Sequence, residues 1–227
     1  MSTDIICIDG PAGSGKSTVA RLTARKTGLA YLDTGALYRS LALSARREGI
    51  DWNDAPALAR LAGQMDIRFD DAPDGQRVRL AGDDVSDAIR SPDISKGSSV
   101  VSRHAEVRRQ LLALQREVAQ RQSVVAEGRD TGNVVFPDAM LKIYLDASVE
   151  ERARRRWKQL LAGDQAADFE TVKAALVERD QADSERAVSP LAVAPDALVI
   201  DTTGMAPEAV VETIVALYEA RRASRAV

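Results

Sequence analysis

Short apolar runs alternate with helix-like patterns at the beginning of the chain. The run at residues 5–8 is apolar and mostly β-branched, which predicts a buried strand of a parallel sheet. Residues 16–27 carry apolar positions spaced for one face of a helix, and Gly28 is a suitable C-cap. A second strand is predicted over residues 30–33 and a second helix over residues 35–47. Strand, glycine-rich loop, helix and strand in this order predict a βαβ unit and therefore an α/β fold.

Between about residues 65 and 90 the pattern changes to strict alternation. Apolar and polar side chains alternate at residues 67–69 and again at 78–80, and Asp74-Gly75 lies between the two segments. Alternation with a period of two is typical of a sheet with one solvent-exposed face. We therefore expect a small antiparallel β insert at this position.

The α/β pattern then resumes and continues almost to the end of the chain. The predicted elements are a helix over 105–120, strands over 123–126 and 141–145, helices over 149–161 and 169–183, a strand over 197–200 and a helix over 206–222. A frayed tail is expected at 223–227. The helices on either side of the turn Gly163-Asp164 are rich in arginine, which favours a movable flap, and we place this lid with its adjoining helices at residues 150–187.

Composition and charge narrow the class of protein. The chain has 227 residues, of which 45% are hydrophobic and 29% charged, as in an ordinary globular protein with a substantial core. The formal net charge of −3 argues against a partner held by a bulk positive field, so no nucleic-acid partner is expected. The 31 basic residues comprise 25 Arg and 6 Lys. Either of two explanations would account for this excess of arginine: bidentate recognition of phosphate, or a codon bias of the genome.

The cellular compartment follows from cysteine content and hydropathy. Cys7 is the single cysteine, so an internal disulfide is excluded and a reducing compartment is expected. The sequence contains neither an apolar run of the roughly 18 residues that span a bilayer nor the charge pattern of a signal peptide. We therefore predict a cytoplasmic protein without a membrane partner.

The strongest chemical signal is a P-loop, G-x-x-x-x-G-K-[ST], between the first predicted strand and helix. Its backbone N–H groups would surround a phosphate at the positive end of the helix. Lys16 would reach the β- and γ-phosphates of a bound nucleotide, and the Ser17 hydroxyl would ligate Mg²⁺. The residues expected to bind this nucleotide are Gly10, Pro11, Ala12, Gly13, Ser14, Gly15, Lys16, Ser17 and Thr18. Switch proteins, hydrolases and small-molecule kinases share this loop, so it does not identify the phosphate acceptor.

Two candidate constellations for the acceptor follow predicted strands. Residues 33–39 come after the second strand, where α/β folds place ligand groups, although Thr34 is also a natural helix N-cap. Glu127 and Gly128 end a later strand and precede Arg129 and Asp130, which would enter the crevice above the sheet. The alternative for this segment is a plain turn with a surface ion pair.

A third constellation lies on the lid helices, where charged side chains recur at helical spacing. It comprises Arg179, Asp183 and Arg186, at i, i+4 and i+7 if the helix continues that far, and Arg152, Arg155 and Arg156, at i, i+3 and i+4. A solvated helix face with salt bridges is the alternative explanation. A flap of arginines over a P-loop would neutralise charge on a transferring phosphoryl group and exclude water.

Two further residues, His104 and Trp157, say less about the type of reaction than the motifs above. His104 is the only histidine, so Ser-His-Asp catalysis and a zinc cluster are not expected. Trp157 lies in the lid, where packing at its base and contact with an adenine are both open.

Six motifs in sequence order resemble the bacterial cytidylate kinases, P-loop enzymes of the nucleoside monophosphate kinase fold. They are I-D-G-P-A-G-S-G-K-S-T at 8–18, L-D-T-G-A-L-Y-R at 32–39, A-E-G-R-D at 126–130, V-V-F-P-D-A at 134–139, K-I-Y-L-D-A-S at 142–148, and E-R-D-x-x-D-x-x-R-x-x-x-P-L at 178–191. The chain departs from the family pattern at Thr131 and Asn133. The combination of the P-loop with the third and sixth motifs is specific.

The resemblance implies a three-layer α/β P-loop fold over the whole chain, with a five-stranded parallel sheet. The monophosphate-binding region would cover residues 35–122 and contain the antiparallel insert, and the arginine-rich helices would form the lid. The implied activity is transfer of the γ-phosphoryl group of ATP, with Mg²⁺, to CMP or dCMP. The implied partners are these small molecules, and we expect a monomer. A kinase for UMP or AMP, a P-loop regulatory NTPase and a non-catalytic nucleotide-binding module remain alternatives.

The resemblance also implies roles for individual residues. The residues expected to contact CMP are Arg39 and Arg129 on its phosphate, Thr34 and Tyr38 along the same pocket, Asp130, Arg108 and Ser99 on the cytosine, and Arg179 and Asp183 on the sugar and phosphate. An Asp that accepts from the exocyclic amine and an Arg that donates to the carbonyl edge suit this base. Lys16, Arg155, Arg156 and Arg186 are the expected catalytic residues, with Ser17 as the metal ligand.

Overall fold

The computed structural model describes residues 3–72, 75–163 and 166–225. It divides into two compact units, one formed by Met1–Leu32 with Gln122–Val227 and the other by Asp33–Arg121. The predicted turn residues Asp74 and Asp164 and the last two tail residues lie outside the described parts of the chain. The assignment of residues 35–122 to a monophosphate-binding region and of 150–187 to a lid stays a prediction.

Strands and helices alternate through much of the chain. The strands are β1 (Ile5–Asp9), β2 (Ala30–Asp33), β3 (Ile67–Ala72), β4 (Gly75–Leu80), β5 (Asp83–Asp84), β6 (Val124–Gly128), β7 (Leu141–Asp146) and β8 (Leu198–Asp201). The α-helices are α1 (Lys16–Thr27), α2 (Thr34–Arg47), α3 (Ala55–Gln64), α4 (Pro92–Val101), α5 (Ala105–Arg121), α6 (Val149–Ala162), α7 (Phe169–Glu185) and α8 (Pro207–Arg225). Two short turns of other helix types lie at Ala88–Arg90 and Thr131–Val135.

A parallel sheet with the order β2-β6-β1-β7-β8 forms the centre of the first unit. The middle strand β1 is buried because it is apolar on both faces, as the sequence predicts. Its last residue, Asp9, pairs in register with Gly128 of β6 on one side and Tyr144 of β7 on the other. The segments that follow β1, β6 and β7 therefore leave the sheet at the same edge, where open α/β sheets bind their ligands.

Helices α1 and α8 bury apolar side chains in the core of this unit. Val19 and Ala20 of α1 and Val211 and Ile214 of α8 are almost completely excluded from solvent, together with Ile8 and other side chains of the sheet. Burial of one such aliphatic side chain contributes roughly 1.5–3 kcal/mol. The start of α1 is thereby held in place, which matters because the P-loop leads directly into it.

The second unit combines α2 to α5 with the antiparallel sheet β3-β4-β5. Phe69 pairs with Val78 and Ile67 with Leu80, so the apolar members of each strand share one face. Val78 and Leu80 are buried against the helices of this unit. The five-stranded parallel sheet and the separate antiparallel insert confirm the predicted fold class.

Several element boundaries differ from the prediction for local reasons. Helix α2 begins at Thr34 and is capped by Asp33, whose side chain accepts from the N–H of Ala36, so the expectation that Thr34 is the N-cap is wrong. Helix α7 ends at Glu185, and Arg186 follows it in an extended conformation. Helix α8 continues through Arg225, so the predicted frayed tail is wrong for residues 223–225.

Among the described helices, none is long and apolar enough to cross a bilayer.

Candidate functional site

The P-loop is shaped by glycines in a conformation that other residues rarely adopt. Gly10 has a φ of 148° and Gly13 a φ of 77°. A Cβ atom on Gly10 would lie 2.0 Å from the carbonyl oxygen of Leu145, and one on Gly13 would lie 2.9 Å from that of Arg152. Both positions therefore require glycine on grounds of torsion and of space.

Lys16 lies buried inside this loop, at the first residue of α1. Its Nζ donates to the carbonyl oxygen of Pro11 at 2.6 Å and to Oγ of Ser14 at 3.3 Å. Burial, and after it the charge of Arg129, lower the pKa of Lys16 well below its ordinary value. A bound polyphosphate would favour the charged ammonium, so the site is suited electrostatically to an anion.

Ser17 is hydrogen-bonded to the carboxylate of Glu127, to which the sequence analysis gave no role of its own. Its Oγ donates to Oε2 of Glu127 at 2.9 Å, and the Tyr31 hydroxyl donates to the other oxygen of the same carboxylate. Hydroxyl and carboxylate oxygens are the ligands that Mg²⁺ prefers. The signal that could have found Glu127 is its place near the end of a predicted strand. In the sheet it pairs with Ile8, two residues before the P-loop begins.

A second carboxylate missed from the sequence is Asp9, the last residue of β1. It accepts hydrogen bonds from the backbone N–H and the hydroxyl of Thr131, at 2.9 and 2.8 Å, and from the N–H of Gly132 at 2.8 Å. Burial raises the pKa of Asp9 in spite of these bonds, which act in the opposite direction. Asp9 thereby fixes the turn that directly follows Arg129 and Asp130.

Charged groups from the ends of β6 and α7 converge in what we call the arginine–aspartate cluster. Its members are Arg129, Asp130, Arg179, Asp183 and Arg186. Asp183 lies 3.0 Å from Nε of Arg129, 4.0 Å from Nε of Arg179 and 3.9 Å from Nη1 of Arg186. Asp130 lies 3.7 Å from Nη2 of Arg186. The predicted neighbours Arg179, Asp183 and Arg186 thus meet even though the helix ends before Arg186.

The cluster carries one more positive than negative charge and contacts the P-loop. Nη1 of Arg129 donates to the carbonyl oxygen of Gly10 at 3.0 Å. Burial raises the pKa of Asp183, but Arg129 and Arg179 outweigh it, so the pKa is lowered overall and the carboxylate stays ionised. The net positive charge beside a phosphate-binding loop favours an anionic ligand.

In the second unit, Arg39 is held by the residue that caps its own helix. Its Nη2 lies 2.7 Å from Oδ2 of Asp33, while Oδ1 of Asp33 accepts from the N–H of Ala36. Thr34, at the first turn of the same helix, is buried. This local capping fixes the direction in which Arg39 leaves the helix.

The candidate base-reading residues of the second unit form a separate chain of contacts. The Arg108 guanidinium lies 5.4 Å from the centre of the Tyr38 ring, at cation–π distance. Its Nη1 is 3.4 Å from the carbonyl oxygen of Ser102, whose hydroxyl donates to the carbonyl oxygen of Ser99 at 3.0 Å. The structure therefore brings Arg108 next to Tyr38 and connects it to Ser99 through Ser102.

Arg155 and Arg156, the two catalytic candidates on α6, have different hydrogen-bond partners. Arg155 pairs with Glu151 at 2.9 Å and donates to the carbonyl oxygen of Thr202 at 2.7 Å and, more weakly, to that of Ser14 at 3.4 Å. Arg156 donates to Gln159 on its own helix at 2.9 Å. Arg155 thus holds α6 against the P-loop and the segment after β8.

Trp157 packs inside the hairpin of α6 and α7. Its ring meets the Phe169 ring edge to face at 6.1 Å, and its indole N–H donates to the carbonyl oxygen of Ala167 at 2.9 Å. Of the two alternatives from the sequence, the structure shows packing, here between the two helices. Its indole donor is therefore already satisfied within the hairpin.

Comparison with known proteins identifies the family. A family model described as cytidylate kinase matches residues 6–220. The chain belongs to the cytidylate kinase family. The cytidylate kinase of Pelotomaculum thermopropionicum is 50% identical over 218 residues, which cover 96% of each chain. That of Pseudomonas paraeruginosa is 49% identical over 213 residues, which cover 93% of each chain.

A solved structure supports the fold. An uncharacterized protein from Eubacterium ventriosum superimposes with a TM-score of 0.55 over 96% of this chain and 99% of its own, at 11% identity. The resemblance to cytidylate kinases found in the six motifs is confirmed by the family match. The roles of the individual site residues stay predictions.

Proposed function

We propose that this member of the cytidylate kinase family transfers the γ-phosphoryl group of ATP to CMP or dCMP, yielding ADP and CDP or dCDP. The observation that carries the proposal within the site is the contact of Arg129 with both Gly10 and Asp183. It joins a phosphate-binding loop to a cluster with excess positive charge. A phosphoryl donor and an anionic acceptor both suit such an arrangement.

On the donor side, residues 10–18 hold the triphosphate. The backbone N–H groups of the loop, apart from that of Ala12, and the ammonium of Lys16 bind the β- and γ-phosphates. The Ser17 hydroxyl and, beside it, the Glu127 carboxylate fit Mg²⁺ by the chemistry of their oxygens. When bound, this ion neutralises phosphate charge and orients the transferred group.

On the acceptor side, we assign roles to residues of each unit. In the first unit, Arg129 binds the phosphate of CMP, Asp130 accepts from the amine of the cytosine, and Arg179 and Asp183 contact the sugar and phosphate. The corresponding roles in the second unit are phosphate binding by Arg39, pocket lining by Thr34 and Tyr38, and base recognition by Arg108 and Ser99. Asp130 lies 3.7 Å from Nη2 of Arg186, and an oxygen of its carboxyl group is the acceptor that the amine of the cytosine requires.

The reaction then requires positioning and charge neutralisation rather than a strong base. The phosphate oxygen of CMP is already ionised at neutral pH, so no residue has to remove a proton from it. Lys16, Arg155, Arg156 and Arg186 are the proposed groups that neutralise the developing charge. Closure of the lid over the reactants would keep water from accepting the phosphoryl group.

The oligomeric state, the cellular compartment and the absence of macromolecular partners are proposals as well. We infer a monomer that works in the cytoplasm on small molecules, without a nucleic-acid or membrane partner. The net charge of −3 argues against a nucleic-acid partner, and the buried, free thiol of Cys7 suits a reducing compartment. Light scattering after size-exclusion chromatography tests the monomer, and a mass of two or more chains would contradict it.

Steady-state kinetics of Asp130→Ala test the assigned site. The variant should lower kcat/KM for CMP by about 10- to 1,000-fold, because the cytosine loses a hydrogen-bond acceptor, while the KM for ATP stays unchanged. Asp66→Ala, which removes an exposed carboxylate from the second unit, serves as the control. Unchanged CMP kinetics in Asp130→Ala would contradict the role of this residue.

A further inference from the structure

At Ala12 of the P-loop, the hairpin of α6 and α7 binds both backbone polar groups of one residue. The N–H of Ala12 donates to Oδ1 of Asp180 on α7 at 3.1 Å. The carbonyl oxygen of Ala12 accepts from Nη1 of Arg152 on α6 at 3.0 Å. Arg152 and Asp180 also form an ion pair with each other. We call these two side chains the Ala12 clamp.

The clamp is largely shielded from solvent, which strengthens its bonds. The exposed fraction of the side chain is 6% for Arg152 and 17% for Asp180. Ala12 itself packs among apolar residues of the hairpin, including Ala153 and Leu176. In such surroundings a charge-assisted hydrogen bond is stronger than at the surface, and the loss of Asp180 leaves the buried Arg152 without this opposite charge.

A second path connects the same helix with the same loop. Asp183, three residues after Asp180 on α7, pairs with Arg129, and Arg129 donates to the carbonyl oxygen of Gly10. The P-loop is therefore held by α7 at Gly10 through the arginine–aspartate cluster and at Ala12 through Asp180. Through these two contacts, a displacement of the loop at Ala12 would act on the helical turn that carries Arg179 and Asp183.

We propose that Asp180 is a positioning residue that couples occupancy of the P-loop to the affinity of the arginine–aspartate cluster for the second nucleotide. This rests on the proposed function, since it takes ATP as the first ligand and CMP as the second. The N–H of Ala12 donates to Asp180, so this N–H group links the loop with α7. Coupling of this kind is reciprocal: each ligand changes the affinity for the other by the same factor.

Calorimetric titration of CMP with and without a non-hydrolysable ATP analogue and Mg²⁺ measures the coupling directly. In the unmodified protein we expect the analogue to tighten CMP binding by at least about 5-fold, within the usual range of such couplings. In Asp180→Ala the factor should fall to about 1, and the affinity for the analogue alone should fall about 10-fold. A factor equal to that of the unmodified protein would overturn the proposal.

Thermal unfolding shows whether Asp180→Ala folds. If it does not fold, a milder variant keeps the test decisive. Asp180→Asn retains an acceptor for the N–H of Ala12 and loses the charge opposite Arg152, so its coupling factor should fall at least about 2-fold. With Asp180→Ala unfolded, an unchanged factor in Asp180→Asn overturns the proposal. Glu185→Ala and Glu185→Gln, which alter an exposed carboxylate on the same helix, are the matched controls and should behave like the unmodified protein.

The titration also separates this inference from the proposed function. If CMP does not bind to the unmodified protein with or without the analogue, the proposed function fails. The affinity of Asp180→Ala or Asp180→Asn for the ATP analogue alone still reports on the clamp in that case. Equal affinity for the analogue in the variant and in the unmodified protein would then overturn the role of Asp180 by itself.

Discussion

At the scale of single residues, the site depends on carboxylates whose partners are distant in sequence. Asp9 bonds to Thr131 across 122 positions, and Asp180 bonds to Ala12 across 168. Nothing in the local pattern around either carboxylate indicates these partners. Lys16, Ser17 and Arg129 are visible as candidates in the sequence, because each lies in a motif whose chemistry is local, and their roles stay predictions.

Asp183 gives the protein a defined dependence of stability on pH. Burial raises its pKa, but Arg129 and Arg179 lower it further, so the folded protein holds the proton less tightly than the unfolded chain does. The carboxylate therefore contributes stability above its ordinary pKa of about 4, and this contribution is lost as the pH falls through the pKa of the folded state.

Urea unfolding between about pH 6.5 and pH 3 measures this contribution. Asp183→Asn should lower the free energy of unfolding at neutral pH by about 1.5–3 kcal/mol, the usual worth of a hydrogen bond to a charged group. It should also lose less stability on acidification than the unmodified protein. Glu185→Gln, which neutralises an exposed neighbour on α7, is the control. An equal pH dependence for Asp183→Asn and the unmodified protein would contradict this account.

At the scale of elements, the register of the parallel sheet places the functional segments together. Asp9 ends β1 at the level of Gly128 on β6, so the P-loop and the Arg129-Asp130 segment leave the sheet side by side. The strand–loop–helix pattern predicted β1 and α1 closely, and Gly28 caps α1 in a left-handed conformation as expected. Those elements have strong local signals: a short apolar run, a P-loop and a glycine C-cap.

Other elements escaped the sequence analysis because their signals are weaker. Helix α3 has only 10 residues and begins with Asp54 as its cap and a proline in the first turn. Helix α4 likewise has 10 residues and contains Gly97, which packs directly against the Trp52 ring. Both helices depend on burial in the second unit rather than on periodicity that stands out in the sequence. The cap of α2 at Asp33 was missed because Asp33 and Thr34 are both favourable cap residues.

The turn after β6 should depend on Asp9 for its stability. Asp9→Ala leaves the buried N–H groups of Thr131 and Gly132 without their acceptor, so the free energy of unfolding should fall by about 2–4 kcal/mol. Urea unfolding of this variant and of Asp138→Ala, an exposed carboxylate after the same turn, provides the comparison. A loss below about 0.5 kcal/mol, as at an ordinary surface position, would contradict the anchoring role.

At the scale of the whole molecule, the near balance of charge conceals an uneven distribution. The chain carries a net charge of −3, yet Arg129, Arg179 and Arg186 gather around two carboxylates next to the buried Lys16. The arginine excess, ambiguous in composition, therefore has a structural reason at these positions. The sequence predicted the α/β class, the antiparallel insert and the family, because the P-loop, the alternation at residues 65–90 and the six motifs are all visible in the linear pattern.

The central claim is that CMP or dCMP accepts the phosphoryl group held at the P-loop. The most direct test is release of ADP from ATP and Mg²⁺ in the presence of CMP, dCMP, UMP, AMP or no acceptor. We predict rapid release with CMP or dCMP, much slower release with UMP and AMP, and almost none without an acceptor. A clear preference for AMP would contradict the assignment of the base, and rapid release without any acceptor would contradict a kinase.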